Sequence, residues 1–246
     1  MNLQDKPSHL LHKINRVHDI AVELDPEEVW RCLGPSGGAR ESLHADVLKA
    51  TDFAANTSQP RGISRVLNVE SAKRGKVHFE SGYIAEGKQL PHLFEGAEGA
   101  VFMITTAGAG VETEVASMME RGDHIEGVVL DAGGSAVAIN AAEQMQAQIM
   151  WEVEQAGYKV GPPITPGTEP WDLEGQLTMF DVLVADEIDV TLLDSRLMYP
   201  QKTQSRIIPF GRELRLVNDP DEAPCRTCRA RRCPMRIEEY QGVPGE

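Results

Sequence analysis

Apolar residues recur along this chain with two periods, and the change from one to the other marks its elements. Asp25-Pro26-Glu27-Glu28 is a helix start: Asp25 accepts from orphan amides, Pro26 suits the first helical position, and Glu28 completes a capping box. That helix carries Val29, Trp30 and Leu33 toward a core and stops at Gly34. Residues 40–56 form a second helix, with Leu43, Val47, Leu48 and Phe53 apolar. Residues 62–70 and 76–82 alternate and are rich in β-branched side chains, which predicts a hairpin turning across 71–75. Leu90 to Phe94 forms a helical turn, and 100–105 is a strand buried on both faces. Helices follow over 112–121 and 125–158, the second placing Val128, Leu130, Ala132, Val137, Ile139, Met145, Ile149 and Val153 at helical spacing as core positions. Asp172 caps a helix through Gln176, Phe180 and Leu183, and 190–193 and 205–210 are strands on either side of Met198-Tyr199-Pro200. Strands and helices without strict alternation predict an α+β fold with mixed or antiparallel pairing.

Composition sets limits on this picture. A chain of 246 residues is one large domain, or a domain with an appendage. With 38 acidic and 24 basic side chains the net charge is −14, which argues against general nucleic-acid or anionic-membrane partners. The start of the chain is polar with no apolar run behind it, and the stretch 100–111 is too short to span a bilayer, so a cytoplasmic protein without a secretory signal is expected. His9, His12 and His18 sit in a polar segment over residues 1–24 that reads as a solvated arm.

The candidate chemistry is concentrated in the cysteines. Cys225, Cys228 and Cys233 lie within nine residues, and Cys32 stands far off in sequence. In a reducing compartment such spacing points to a metal, either zinc or an iron–sulfur cluster. Arg226, Arg229, Arg231, Arg232 and Arg236 would favour the thiolates and offset a negative cluster. Three cysteines leave one ligand to be supplied, by Cys32, a histidine or an external group. Ala107-Gly108-Ala109-Gly110 follows a strand and precedes a helix, but Glu112 and Glu114 stand where a phosphate needs positive charge, so a close-packed turn is expected. Asp194, Ser195 and Lys202 read as surface residues, and no hydrolase elbow, Walker loop or zinc-protease motif is present.

The stretch from Pro162 to Gly211 adds a resemblance. Thr165-Pro166-Gly167, a helix, and then the run from Val190 to Ser205 resemble the activation domain of cobalamin-dependent methionine synthase, in particular its free-standing members with a cysteine-rich C-terminus. Leu130-Asp131-Ala132-Gly133-Gly134-Ser135-Ala136 is similar to the start of that family's long central helix. The likeness implies a C-shaped α+β domain with a twisted, mainly antiparallel sheet and flanking helices, spanning 21–217 between an N-terminal arm (1–20) and a cysteine-rich tail (218–246). It implies an accessory protein, not a complete enzyme, that reactivates a corrinoid methyltransferase by reductive methylation of its cobalt. S-adenosylmethionine would then lie along Thr165, Pro166 and Gly167, the partner would supply the cobalamin, and a further protein would donate the electron. The loop departs from the family's R-P-A-P-G-Y pattern at two places: Pro163 stands for the arginine and Thr168 for the tyrosine. The alternative reading is an iron–sulfur or zinc protein on the same fold, serving electron transfer or docking without S-adenosylmethionine.

Overall fold

The predicted hairpin forms around a tighter turn than its sequence suggests. The structure, a computed structural model, describes residues 16–34, 40–168 and 171–215. Strand β2 (Arg61–Lys73) and strand β3 (Lys76–Phe79) run antiparallel up to Arg74 and Gly75, both at positive φ (54° and 77°), the geometry of a two-residue turn. The described residues divide into two compact units, the first made of residues 16–21, 59–109, 138–168 and 171–215, the second of 22–34, 40–58 and 110–137.

The first unit is built on an antiparallel sheet. Beyond the hairpin come β4 (Ile84–Glu86), a single turn α3 (Leu90–Leu93), and β5 (Gly99–Thr106). Strand β5 is buried at all eight positions, as its unbroken apolar run predicts. Later in the chain β6 (Lys159–Val160) and β9 (Thr203–Gly211) complete a sheet of order β4-β3-β2-β5-β9-β6, and β1 (Arg16–Asp19) pairs with β2. Every pairing is antiparallel. Strand β1 corrects the solvated-arm reading at its own residues: His18 is buried, with Nε2 hydrogen-bonded to Ser64 Oγ at 2.9 Å.

The period of two along β2, β5 and β9 divides the core. On one face Ile63, Leu67, Phe102, Ile104 and Ile207 pack with Phe79, Phe94, Trp171 and Met179. On the other, Val101, Met103, Ile208 and Phe210 pack against Met145, Ile149 and Val153 of the long helix, here α5 (His124–Gln155), whose residues from 138 onward belong to this unit. Each large side chain buried this fully contributes roughly 1.5–3 kcal/mol. Close contact is built in by Gly62, where a Cβ would sit 2.3 Å from Met145 Sδ. The helix is long and apolar enough to cross a membrane, yet 61% of its most apolar window is buried against protein, the arrangement of a core helix.

The second unit is helical. Helix α1 (Pro26–Leu33) opens with the predicted capping box: Asp25 Oδ1 accepts from Glu27 N at 2.8 Å, and Glu28 Oε2 accepts from Asp25 N at 2.9 Å. Helix α2 (Arg40–Thr57), helix α4 (Gly110–Arg121) and the first half of α5 follow. Gly133 lets α5 approach α2, since a Cβ there would lie 3.1 Å from Ala50 O. The Gly-X-Gly segment is a packed turn, with a Cβ at Gly110 2.9 Å from Thr57 O. Val128, expected in the core, is exposed instead, as are Leu48 and Phe53 among the apolar residues of α2.

Candidate functional site

Residues 161–190 cross one face of the sheet and hold the predicted ligand loop. Ile164 is pinned to the middle of β9 by two backbone bonds of 2.9 Å, Ile164 N to Ile207 O and Ile207 N to Ile164 O. Gly161 N donates to Pro209 O at 2.8 Å, so the loop leaves the sheet from a fixed base. Thr165 is half-buried, Pro166 buried and Gly167 exposed, the three thus placed side by side as their sequence order requires. Gly167 takes φ of 88°, a left-handed conformation that glycine adopts without steric cost.

The loop folds back on itself. Gly167 N donates to Trp171 O at 2.9 Å, Trp171 N to Thr168 O at 2.7 Å, and Thr168 N to Thr165 O at 3.2 Å. The Thr168 hydroxyl also donates to Thr165 O, at 2.7 Å. The residue in the family's tyrosine position is therefore engaged with its own turn. Pro163, in the arginine position, is exposed and carries no donor.

Behind the loop sits Trp171, buried in the core, with an indole Nε1 that has no hydrogen-bond partner among the described residues. Its ring lies against Gly175 at the start of helix α6 (Gly175–Val182), where a Cβ would fall 2.4 Å from Trp171 Cε2. The sequence places Asp172 as this helix's cap. The observed cap position is Glu174, with no side-chain bond, and Asp172 contributes only its carbonyl, which accepts from Gly175 N at 2.9 Å. Sequence reasoning missed Trp171 and Gly175, and it placed Gln176 only as a helix residue. The buried Gln176 reaches the sheet, its Oε1 accepting from Ser205 Oγ at 3.1 Å. An aromatic four residues before a glycine, across a capping signal, was the available clue.

Past α6 the chain makes a small hairpin, β7 (Thr191–Leu192) and β8 (Met198–Tyr199), whose Leu193, Leu197 and Tyr199 are exposed. Asp194 and Ser195 lie in its turn, where Ser195 Oγ accepts from Leu197 N at 3.5 Å and Asp194 O accepts from Arg196 Nη1 at 3.2 Å. The Ser195 hydroxyl and the Asp194 carbonyl thus help to hold the turn. Arg206, on the face of β9 opposite the loop, donates to Gln146 Oε1 (2.6 Å) and Gln204 Oε1 (2.7 Å). Burial holds its guanidinium pKa below the ordinary value, with Glu143 acting weakly the other way.

Of the metal candidates, Cys225, Cys228 and Cys233 lie outside the described residues. Cys32 is half-buried near the end of α1. Among the described residues no group of three His, Cys, Asp or Glu side chains is placed to hold a metal ion.

No protein-family model matches this chain, and no curated protein matches its sequence. Among solved structures, the crystal structure of the MetH reactivation domain bound to AdoHcy is similar over 79% of this chain and 78% of that one, with a TM-score of 0.58 and 12% identity. The mixed α/β fold with an antiparallel sheet and flanking helices is therefore that of the MetH reactivation domain.

Proposed function

We propose that this chain is an accessory protein of a corrinoid-dependent methyltransferase, and that it holds S-adenosylmethionine over a partner's cobalamin for reductive reactivation. The observation that supports this reading is the fold shared with a domain crystallised with AdoHcy, across more than three quarters of both chains. AdoHcy is what remains of S-adenosylmethionine once its methyl group has left, so a related ligand here fits a methyl-donor role. The chemistry supplied on binding is a sulfonium methyl group for transfer.

This chain's own residues contribute position. The base of the loop is fixed to β9 at Ile164, and Thr165, Pro166 and Gly167 would line the ligand with a backbone already in place. The loop keeps the Pro-Gly pair but lacks a cation for the ligand's carboxylate, because Pro163 carries no charge. A charge-assisted pair contributes about 1.5–3 kcal/mol, so binding roughly tenfold to a hundredfold weaker than in a loop with arginine is expected. The test is calorimetry of the full chain with S-adenosylmethionine, and a pull-down against a cobalamin-loaded methyltransferase. Absence of both heat and complex would rule the proposal out.

A second reading keeps the partner and drops the ligand. It is favoured by the Thr168 hydroxyl, which is spent on Thr165 O. The protein would then be an electron-transfer or docking component, with Cys225, Cys228 and Cys233, and Cys32 as a fourth ligand, around an iron–sulfur cluster or zinc. Anaerobic preparation decides this: a brown protein that loses its colour in Cys228→Ser supports it. Metal-free protein that still binds S-adenosylmethionine supports the first reading.

A further inference from the structure

A concavity lies away from the Pro-Gly loop, at the turn of the β2–β3 hairpin. It has a volume of about 860 Å³ and is walled by the end of that hairpin, the segment 88–97 and Arg215. This size is that of small-molecule sites, which run roughly 300–1,000 Å³.

Its charge is opposite to that of the chain. Lys73, Arg74, Lys88 and Arg215 line it, against Glu70 and Glu95. Arg215 is committed to Glu95, with Nη1 3.1 Å from Oε2 and its backbone N donating to Glu95 O at 2.9 Å. Across the hairpin Lys73 stands directly opposite Lys76, a like-charge pair that costs stability. Glu86 relieves only one of the two, meeting Lys76 Nζ at 2.6 Å. The side chains of Lys73, Arg74 and Lys88 thus line one cavity with no ion pair or side-chain hydrogen bond among the described residues. In a protein of net charge −14, unpaired cations gathered in a hollow form a local well for an anion.

The hollow is also preformed. The turn is fixed by the positive φ of Arg74 and Gly75, and Gly87 N donates to Gly75 O at 2.9 Å, which ties the 87–88 segment to it. Val69, Ala72, Pro91 and Phe94 give the walls an apolar part. We propose that this cavity binds a small organic molecule bearing a phosphate or pyrophosphate group, the anion held by Lys73, Arg74 and Lys88 and the organic part resting against Val69 and Pro91.

The test uses inorganic pyrophosphate as probe, titrated calorimetrically into the full chain at low salt. One-to-one saturable binding is expected. The triple variant Lys73→Glu, Arg74→Asn, Lys88→Glu should weaken it at least tenfold; asparagine is chosen because it tolerates the left-handed turn position. Lys159→Glu, an exposed lysine outside the cavity, should leave binding unchanged. An unaltered unfolding midpoint shows that the triple variant still folds. Binding that survives the triple variant does not depend on Lys73, Arg74 and Lys88 and overturns the proposal. Absence of saturable binding overturns it as well, as does binding of a hexaglutamate peptide without binding of pyrophosphate, since the cavity would then serve an acidic protein segment.

Discussion

Trp171 and Gly175 depend on one another. The indole is buried against the sheet and lies where any β-carbon at 175 would be, 2.4 Å from Cε2. A rigid ring cannot give way as a flexible side chain can, so Gly175→Ala should destabilise the protein by about 1–3 kcal/mol. Gly62→Ala meets Met145 Sδ at a similar 2.3 Å, but a thioether has rotamers to spare. Denaturant unfolding of the two variants should rank Gly175→Ala as the more damaging, and equal losses would count against the indole as a rigid wall. Pro163 offers the complementary experiment, a gain of function. If S-adenosylmethionine lies along Thr165–Gly167, then Pro163→Arg should tighten its binding by roughly tenfold or more, and Pro163→Lys by less, because an ammonium cannot grip a carboxylate with two parallel bonds. Calorimetry reads the difference. Identical affinities in all three proteins would move the ligand away from this loop.

Helix α1 shows what a short element owes to its cap. Eight residues are too few to hold a helix alone, and the capping box is present, with Glu28 Oε2 accepting from Asp25 N at 2.9 Å and Asp25 Oδ1 accepting also from Glu27 N at 2.8 Å. Asp25→Ala should cost about 1 kcal/mol, seen as a shift of the denaturation midpoint at constant slope. Asp25→Asn should recover much of it, since its side-chain oxygen still accepts. Such local signals are what the sequence carries best: the cap, the hairpin and the wholly buried β5 follow from neighbouring residues alone. Helix α6 does not, because Asp172 has the chemistry of a cap while the tertiary fit of Trp171 on Gly175 sets the start three residues later. Val128 lies on the helical stripe of α5 yet is exposed, since periodicity marks an apolar face without saying what covers it. Strand β1 was hidden for a similar reason: its polar residues are ordered by the edge of β2 and by the His18–Ser64 bond, neither visible in the local pattern. The loop proposed for the ligand stands out by its Pro-Gly pair, while the anchoring of Ile164 to Ile207, forty-three residues further on, is visible only through the fold.

At the scale of the first unit, one apolar face supports both candidate sites. Trp171 behind the ligand loop and Phe94 in the wall of the cationic cavity belong to the same buried cluster. Phe79 joins them: its ring meets Phe94 edge-on at 5.9 Å and Phe102 edge-on at 5.0 Å, and all three are buried. Edge-to-face pairs add about 0.5–1.5 kcal/mol beyond the area they bury. Removing the ring leaves a cavity that close-packed strands cannot collapse to fill, so Phe79→Ala should lose about 3–5 kcal/mol. Against a total stability of about 5–15 kcal/mol that is a large share, and the unfolding midpoint should fall by roughly 6–20 °C. Phe79→Leu keeps most of the volume without the ring edges and should lose about 1–2 kcal/mol. Scanning calorimetry of both variants measures the core, while titration of the folded fraction with S-adenosylmethionine and with pyrophosphate measures each site. If the cluster is a shared support, Phe79→Ala weakens both ligands near its own midpoint, and Phe79→Leu weakens neither at 25 °C. Loss of one ligand alone would mean that each site is held by its own loop.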